Sequence, residues 1–287
     1  MSRAHGGPGP AEGAGSAAAS SGAQRIAVAF TRAAGEGRAA LVPYVVAGYP
    51  DLATSRAAAL AAIDAGADLL EIGLPYSDPL ADGATLQRAS AAALRAGATF
   101  EASIELVGQV AAARPAVPLV AMGYANQVLG GGDGRPAAER LAAAGASGII
   151  VADLTPDEGA PFEAAATRAG LALVYLVAPT TPPERRARVA SRTAGFLYCV
   201  SLVGVTGARR ALPRTAGRLV AEVKRVSTAP VAVGFGVSRG AHVRALVRAG
   251  ADGVIVASAL VDALGPDGRD VAALARLVGE LRSATAA

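Results

Sequence analysis

Three carboxylate side chains lie within twelve residues of one another in segment 71–83, which reads EIGLPYSDPLADG. Glu71 interrupts a run of apolar residues, whereas Asp78 and Asp82 follow in a stretch punctuated by proline and glycine. A buried, ionised carboxylate costs several kcal/mol unless it is paired, and desolvation raises its pKa. Such a group can exchange protons near neutral pH. The segment therefore predicts acid–base chemistry at Glu71, next to an anionic group on the following loop.

Other interpretations of these carboxylates stay open at this stage. Glu71 could form a structural ion pair with an arginine, although the other apolar runs contain no arginine or lysine to serve as its partner. Asp78 and Asp82 could be turn or helix-capping residues. The three carboxylates could also hold Mg²⁺, but no second acidic cluster supports a metal site, and we expect none.

Glycines recur after the last three apolar runs of the chain. Residues 204–207 (GVTG) follow one run, residues 234–236 (GFG) follow the next, and Ser258 ends the last. Phosphate dianions bind where backbone N–H groups converge near a helix N-terminus. The pattern therefore predicts a phosphate site, although these glycines could merely turn the chain. The loop around Thr206 could also close over a bound substrate.

The residues that several other kinds of catalysis need are scarce in this sequence. Lys224 is the only lysine and lies in a helical stretch beside Arg225, so a Schiff-base lysine inside a strand is absent. Cys199 is the only cysteine, and the two histidines, His5 and His242, lie far apart in the chain. Zinc sites and a Ser-His-Asp relay are therefore disfavoured, and a chain that breaks a carbon–carbon bond must do so by acid–base chemistry.

The elements that would position these residues are strands alternating with helices. The strand candidates are nearly continuous in Val, Ile, Leu and Ala, as in parallel strands buried on both faces. Eight such units in about 260 residues predict a single-domain (β/α)8 TIM barrel, an α/β fold, with a doubly wound sheet as the alternative. In a barrel, Glu71 would point inward with Gly73 beside it. The candidates are residues 41–47, 68–75, 118–124, 148–153, 172–179, 195–201, 230–235 and 253–258.

Composition bounds the class of protein. The 287 residues are 52% hydrophobic and only 17% charged, too apolar for a disordered chain. The longest apolar runs are about eight to ten residues, against the roughly 20 that a membrane span needs. The net charge of +4 comes from scattered arginines without an interleaved aromatic stripe, which disfavours nucleic-acid binding.

The N-terminal residues differ from the rest. Residues 1–23 are rich in Gly, Ala, Ser and Pro, and we expect them to be a disordered tail preceding a catalytic domain over residues 24–287. They have neither the apolar core of a secretory signal nor the amphipathicity of a transit peptide. A single cysteine fits a reducing compartment, and the expected location is the cytoplasm.

Segment 71–83 resembles the signature of the tryptophan synthase α subunit. Supporting matches occur in the same order over roughly residues 24–265. They are Pro43-Tyr44 with residues 47–51 (AGYPD), Met122 with Tyr124 and Asn126, Asp153-Leu154, residues 204–208 (GVTGA) and residues 234–236 (GFG). The resemblance implies a TIM-barrel carbon–carbon lyase that cleaves indole-3-glycerol phosphate to indole and glyceraldehyde 3-phosphate without a cofactor.

The resemblance also implies roles for individual residues. Glu71 matches the general acid/base, which protonates indole C3 and takes the proton of the glycerol hydroxyl. Asp82 matches the carboxylate that accepts the indole N–H, and Tyr198 matches a tyrosine near Glu71. The remaining matches are Tyr44, Met122, Ile150, Thr206, Phe235 and Ile255 around the substrate, and Gly207, Gly236 and Ser258 around its phosphate.

The resemblance implies a partner too. Indole usually passes to a pyridoxal-phosphate-dependent β subunit in an α2β2 assembly, and Pro75 and Asp78 are candidates for that contact. Two alternatives remain open, a stand-alone lyase that releases free indole for specialised metabolism and a weakly active module that activates a β subunit. The chain departs from the usual pattern at Val46, Ala84, Gln127, Ala152, Thr155 and Ala257, and none of these changes removes an acid/base group.

Overall fold

The computed structural model describes residues 21–200, 214–234 and 236–286, in which strands and helices alternate. No helix of this described part is long and apolar enough to cross a membrane. The elements are α1 (Gly22–Gly35), β1 (Ala40–Val46), α2 (Leu52–Asp64), β2 (Leu70–Gly73), α3 (Ala84–Arg95), α4 (Phe100–Ala113), β3 (Leu119–Gly123), α5 (Ala125–Leu129), α6 (Arg135–Ala143), β4 (Gly148–Val151), α7 (Ala160–Arg168), β5 (Ala172–Val174), β6 (Leu176–Val177), α8 (Pro183–Arg192), β7 (Leu197–Val200), α9 (Arg214–Lys224), β8 (Val231–Gly234), α10 (Gly240–Arg248), β9 (Gly253–Val256), α11 (Ser258–Ala263) and α12 (Val271–Ser283).

The strands form one parallel sheet in the order β5-β4-β3-β2-β1-β9-β8-β7-β6. Its two edge strands, β5 and β6, follow each other directly in the chain, so the sheet curls into a nearly closed barrel with the helices outside. The predicted TIM barrel is confirmed, and each of the eight strand candidates coincides with strand residues of the barrel, although β1 begins one residue before its candidate.

The fifth candidate, residues 172–179, is two strands rather than one. The Tyr175 N–H donates to Oγ1 of Thr193 at 3.0 Å, and the Tyr175 carbonyl accepts from the Tyr198 N–H at 3.1 Å. The chain therefore leaves its pairing with β4 and begins pairing with β7 at this residue. Tyr175 is thus the point at which the barrel closes.

Alternation along β2 sorts its side chains as predicted. Leu70 and Ile72 pack in the outer core between strands and helices, whereas Glu71 and Gly73 point inward, as the period of two for a strand requires. In the sheet register, Glu71 lies between Tyr44 of β1 and Val120 of β3. The acidic side chain therefore enters a barrel interior that is otherwise mainly apolar.

Helix α1 closes the N-terminal end of the barrel. It begins at Gly22, two residues before the expected domain boundary, and the Gly22 N–H donates to the Gly170 carbonyl at 2.8 Å. Ile26 and Phe30 of this helix are buried in the inner core, and the Phe30 ring lies 5.7 Å from that of Phe196. The open end of the barrel is therefore the C-terminal one, where the loop that carries Asp82 begins.

A buried ion pair joins the starts of β1 and β2. Arg38 donates to both carboxylate oxygens of Asp68 at 2.6 and 2.8 Å, and Asp68 also accepts from the Leu41 N–H at 2.9 Å. Both charged side chains are at most 4% exposed. Arg38 and Asp68 are each other's main partner. Arg38 also donates to Glu36 at 2.8 Å, and the half-exposed Arg32 lies 3.6 Å from Asp68.

Replacing Arg38 by methionine is expected to lower the free energy of unfolding by about 3 kcal/mol, because Asp68 would keep a buried charge without its main partner. Urea unfolding followed by circular dichroism measures the change. Arg114→Met is the matched control, because Arg114 pairs with Asp64 at a site where both side chains are exposed, and such pairs contribute at most about 1 kcal/mol. Equal losses in the two variants would contradict the prediction.

Candidate active site

Glu71 is a buried carboxyl that has no cationic partner among the described residues. Its side chain is 1% exposed, and its Oε2 atom has no hydrogen-bond partner among the described residues. Burial, with a smaller contribution from the charge of Asp82, raises its pKa from 4.5 to about 8. The alternative of a structural ion pair with an arginine is therefore wrong for the described part of the chain. Glu71 carries a proton at neutral pH that it can donate.

Asp82 reaches the same cavity from the loop between β2 and α3. Burial raises its pKa to about 6, and a hydrogen bond with the side chain of Tyr124 opposes part of that rise. The Tyr124 hydroxyl also accepts from the Ala81 N–H at 3.1 Å. At pH 7 this carboxyl is therefore mostly ionised beside a protonated one, which is the combination that a proton donor and an anionic stabiliser require.

The cavity walls are mostly apolar and come from several strand ends and the loops after them. Tyr198 lines the cavity, and burial together with the charges of Glu71 and Asp82 raises the pKa of its hydroxyl, which keeps it protonated. Ile150 is buried beside Met122 in the sheet register, behind the lining. The lining consists of Tyr44, Glu71, Asp82, Leu86, Met122, Tyr198, Gly236, Val237, Ser238, Ile255, Ala257, Ser258 and Ala259.

Two strand glycines make room for the two tyrosines of the cavity. A Cβ atom on Gly73 would lie 1.8 Å from Oη of Tyr44, and one on Gly234 would lie 2.3 Å from Oη of Tyr198. No side-chain carbon tolerates another heavy atom at such a distance. Both phenol rings can therefore lie where they do only because these two positions are glycine.

The variant Gly73→Ala is expected to lose about 1–3 kcal/mol of unfolding free energy through overpacking, and to release indole more slowly because Tyr44 must leave its position. Thermal unfolding and a colorimetric indole assay measure the two effects. Adding Tyr44→Leu should restore stability without restoring activity. Gly35→Ala is the control, since a Cβ there meets nothing within 4 Å. A Gly73→Ala variant that matched this control in both assays would contradict the prediction.

The structure brings together two of the predicted phosphate residues. Gly236 has a positive φ of 76° and lines the cavity, and Ser258 is the first residue of α11. The first N–H groups of a helix have no partner within it, so donors are available at this wall. The other candidates, Thr206, Gly207 and Phe235, lie outside the described residues.

The predicted contact residues Pro75 and Asp78 lie on the loop that leads to Asp82, but they do not line the cavity. Asp78 accepts from the Ser77 hydroxyl at 2.5 Å on the exposed part of the loop. Leu80, near its tip, is 89% exposed. No group of three or more potential metal ligands occurs among the described residues.

Some residues of the site were given no site role in the sequence analysis. Leu86, Val237 and Ser238 line the cavity. Tyr124, which served there only as a match to the family, binds Asp82. Tyr124 could have been found, since it directly follows the C-terminal end of a strand, where site residues of a barrel gather. The others show no such signal because nothing in their types distinguishes them from packing residues.

A parallel (β/α)8 barrel with a protonated carboxyl and an ionised one at its open end is a TIM-barrel enzyme of the acid–base class. The family described as "Tryptophan synthase alpha chain" matches residues 30–285. The chain belongs to this family, which confirms the resemblance seen in the sequence. It is a lyase of tryptophan biosynthesis, and the reaction of its family is the cleavage of indole-3-glycerol phosphate.

Similar proteins cover nearly the whole chain. The tryptophan synthase alpha chain of Roseiflexus castenholzii is 48% identical over 240 residues, which are 84% of this chain and 91% of that one. A second one, from Roseiflexus sp. strain RS-1, is 46% identical and covers 90% and 99%. A solved chain of Mycobacterium tuberculosis tryptophan synthase is 41% identical with a TM-score of 0.84, covering 92% of this chain and 98% of that chain.

Proposed function

We propose that Glu71 and Asp82 carry out retro-aldol cleavage of indole-3-glycerol phosphate to indole and glyceraldehyde 3-phosphate in this chain. The observation that supports this most is the Oε2 atom of Glu71, which is buried in a cavity that also holds Asp82 and has no hydrogen-bond partner within residues 21–200, 214–234 and 236–286. An unpartnered buried oxygen costs stability, and a ligand that supplies its partner explains why it is kept.

Glu71 acts twice in the proposed reaction. Its protonated carboxyl first gives a proton to C3 of the indole ring, which leaves the ring cationic. The resulting carboxylate then takes the proton of the glycerol hydroxyl next to the ring. The bond between C3 and the glycerol carbon breaks as that carbon becomes an aldehyde, and the electron pair returns to the ring. The proton lost by Glu71 is recovered, so neither a cofactor nor a metal enters the balance.

Asp82 stabilises the charge that forms between these steps. Protonation at C3 makes the ring N–H strongly acidic, and an ionised carboxylate facing it stabilises the cation by a charge-assisted hydrogen bond. Burial of Asp82 strengthens this interaction, and its lower pKa relative to Glu71 ensures that the two carboxyls keep different protonation states at pH 7.

The remaining predicted residues bind substrate in this proposal. Tyr44, Met122 and Ile255, with Ile150 behind them, form an apolar wall for the indole ring. Tyr198 lies next to the acid/base group, and Gly236 and Ser258 offer backbone donors to the phosphate. By the match of the sequence to the family, Thr206, Gly207 and Phe235 complete the site.

The proposed partner is a pyridoxal-phosphate-dependent β subunit in a cytoplasmic α2β2 assembly. The support on this chain is the exposed loop that contains Pro75, Asp78 and Leu80 and leads directly to Asp82. A partner that binds this loop would cover exposed apolar surface and would act on the position of Asp82. This arrangement couples assembly to turnover.

Indole release from indole-3-glycerol phosphate by the purified chain, alone and with a β subunit, tests the function. Slow release alone that rises with the β subunit supports the proposal of an α subunit. Fast release alone that the β subunit does not change would favour the stand-alone lyase instead. No release under either condition would overturn the assigned reaction and leave a binding module.

A further inference from the structure

Three side chains just after β3 hold three points of the loop between β2 and α3. Gln127 donates from Nε2 to the Pro75 carbonyl at 2.9 Å, and Asn126 donates from Nδ2 to the Tyr76 hydroxyl at 3.1 Å. Tyr124 accepts the Ala81 N–H at 3.1 Å, and its ring stacks on that of Tyr76 at 5.1 Å. The loop is therefore fastened at both ends, at residues 75–76 and 81–82, with an exposed tip between them.

Packing alone does not explain a glutamine at position 127, because its buried amide lowers the stability of the fold. Its Oε1 atom is buried and has no hydrogen-bond partner among the described residues. It lies close to Gly123, where a Cβ atom would be 2.9 Å from Oε1, so glycine at this position leaves room for the amide. A buried, unpartnered amide oxygen is destabilising, and a leucine of similar size would avoid the penalty. What the glutamine adds is the hydrogen bond to Pro75.

That hydrogen bond fixes the start of the loop that ends at Asp82. Pro75 comes two residues after Gly73, the last residue of β2, so its carbonyl is where the chain turns away from the barrel. At the other end, the hydroxyl of Tyr124 binds both Ala81 and Asp82. A loop released at Pro75 loses its one hydrogen bond from the barrel side to the backbone at this end and keeps there only the side-chain contacts of Tyr76 with Asn126 and Tyr124. The carboxylate of Asp82 then samples more positions.

We propose that Gln127 is a positioning residue, which holds the loop over residues 75–82 so that Asp82 faces Glu71 across the cavity. This inference rests on the proposed function of Asp82. Gln127 does not itself line the cavity, so it acts on the rate of the reaction and not on the binding of the substrate.

The variant Gln127→Leu tests the attachment directly. Hydrogen exchange of peptides that cover residues 75–82 should become at least about 5-fold faster, while the melting temperature stays equal or rises because the unpartnered oxygen is gone. Gln109→Leu is the matched control, since it makes the same chemical change at an exposed position of α4. Loop exchange that is the same in both variants would overturn the proposal, whether or not the chain cleaves its substrate.

Kinetics of indole release then test the positioning role. Gln127→Leu should lower kcat about 10-fold with KM within about 2-fold, because misplaced groups cost rate even when the substrate still binds. In an Asp82→Asn background the same change should cost less than about 2-fold, since the group being positioned is gone. Equal losses in both backgrounds, or a loss confined to KM, would overturn the proposal. A wild-type chain that releases no indole even with a β subunit would overturn the proposed function instead, and loop exchange would still decide the attachment.

Discussion

Replacement of Glu71 by glutamine is expected to lower the rate of indole release by about 10⁴-fold, the upper range for a single acid–base group. Glutamine keeps the shape of the side chain but can neither donate the proton to C3 nor accept the one from the hydroxyl. Among the described residues that line the cavity, Asp82 is the one other acidic residue. Its carboxylate is hydrogen-bonded to Tyr124, so it does not replace Glu71 as the proton donor. The measurement is indole formation under saturating substrate, with the β subunit present so that the wild-type rate is high.

The same substitution is expected to stabilise the protein at alkaline pH. The pKa of Glu71 is raised from 4.5 to about 8 in the folded state, so the unfolded chain releases this proton at lower pH than the folded one. Stability is therefore lost as pH rises from about 4.5 to 8. Glutamine never ionises, and Glu71→Gln should melt at a higher temperature than the wild type at pH 8.5, with the difference shrinking toward pH 4.

The control for both effects is Glu105→Gln, at an exposed position of α4. It should change neither the rate nor the pH dependence of melting. A Glu71→Gln variant that retained more than about a tenth of the wild-type rate would remove Glu71 from the acid–base role. Equal melting temperatures at pH 8.5 would contradict the raised pKa.

The second large effect concerns Asp82 and the pH profile of the wild type. The proposed reaction needs Asp82 ionised and Glu71 protonated in the free enzyme. With pKa values of about 6 and about 8, kcat/KM should rise through pH 6, reach a maximum near pH 7 and fall above pH 8. Such a bell-shaped profile reports the essential acid and base of the free enzyme.

Asp82→Asn should lower kcat/KM by about 10²–10³-fold, as expected for one charge-stabilising group, and should remove the rise near pH 6. The fall at high pH should persist but occur at a lower pH. The negative charge of Asp82 helps to raise the pKa of Glu71, and without that charge Glu71 loses its proton more easily. Asp267→Asn, on an exposed turn far along the chain, serves as the control. A rise near pH 6 that survives in Asp82→Asn would assign that limb to another group.

The fold could be predicted from the sequence because its strands are buried on both faces and therefore appear as runs of apolar residues. Glu71 could be placed inside the barrel for the same reason, since a strand alternates strictly and its neighbours Leu70 and Ile72 are apolar. The break at Tyr175 was not predictable, because it depends on the hydroxyl of Thr193, which lies 18 residues further along the chain.

The hydrogen bonds that hold the loop before Asp82 could not be predicted from the sequence for a similar reason. Tyr124 and Gln127 bind atoms 43 and 52 residues away, and both of those atoms belong to the backbone, whose position no residue type reveals. The pKa difference between Glu71 and Asp82 likewise depends on how deeply each is buried. Residue types could predict which groups react, whereas only the folded geometry shows how each is tuned.

Helix α1, which closes one end of the barrel, also determines on which face of the protein the described chain begins. Gly22 is bound there to Gly170, and near the other terminus Thr285 accepts a hydrogen bond from Ala39 at the start of β1. Both ends of the described chain therefore emerge on the face opposite the mouth through which indole must leave. A tether attached at residue 21 or 286, the two ends of the described chain, would start on the face away from that mouth and would leave the entrance free for substrate and for a docking subunit.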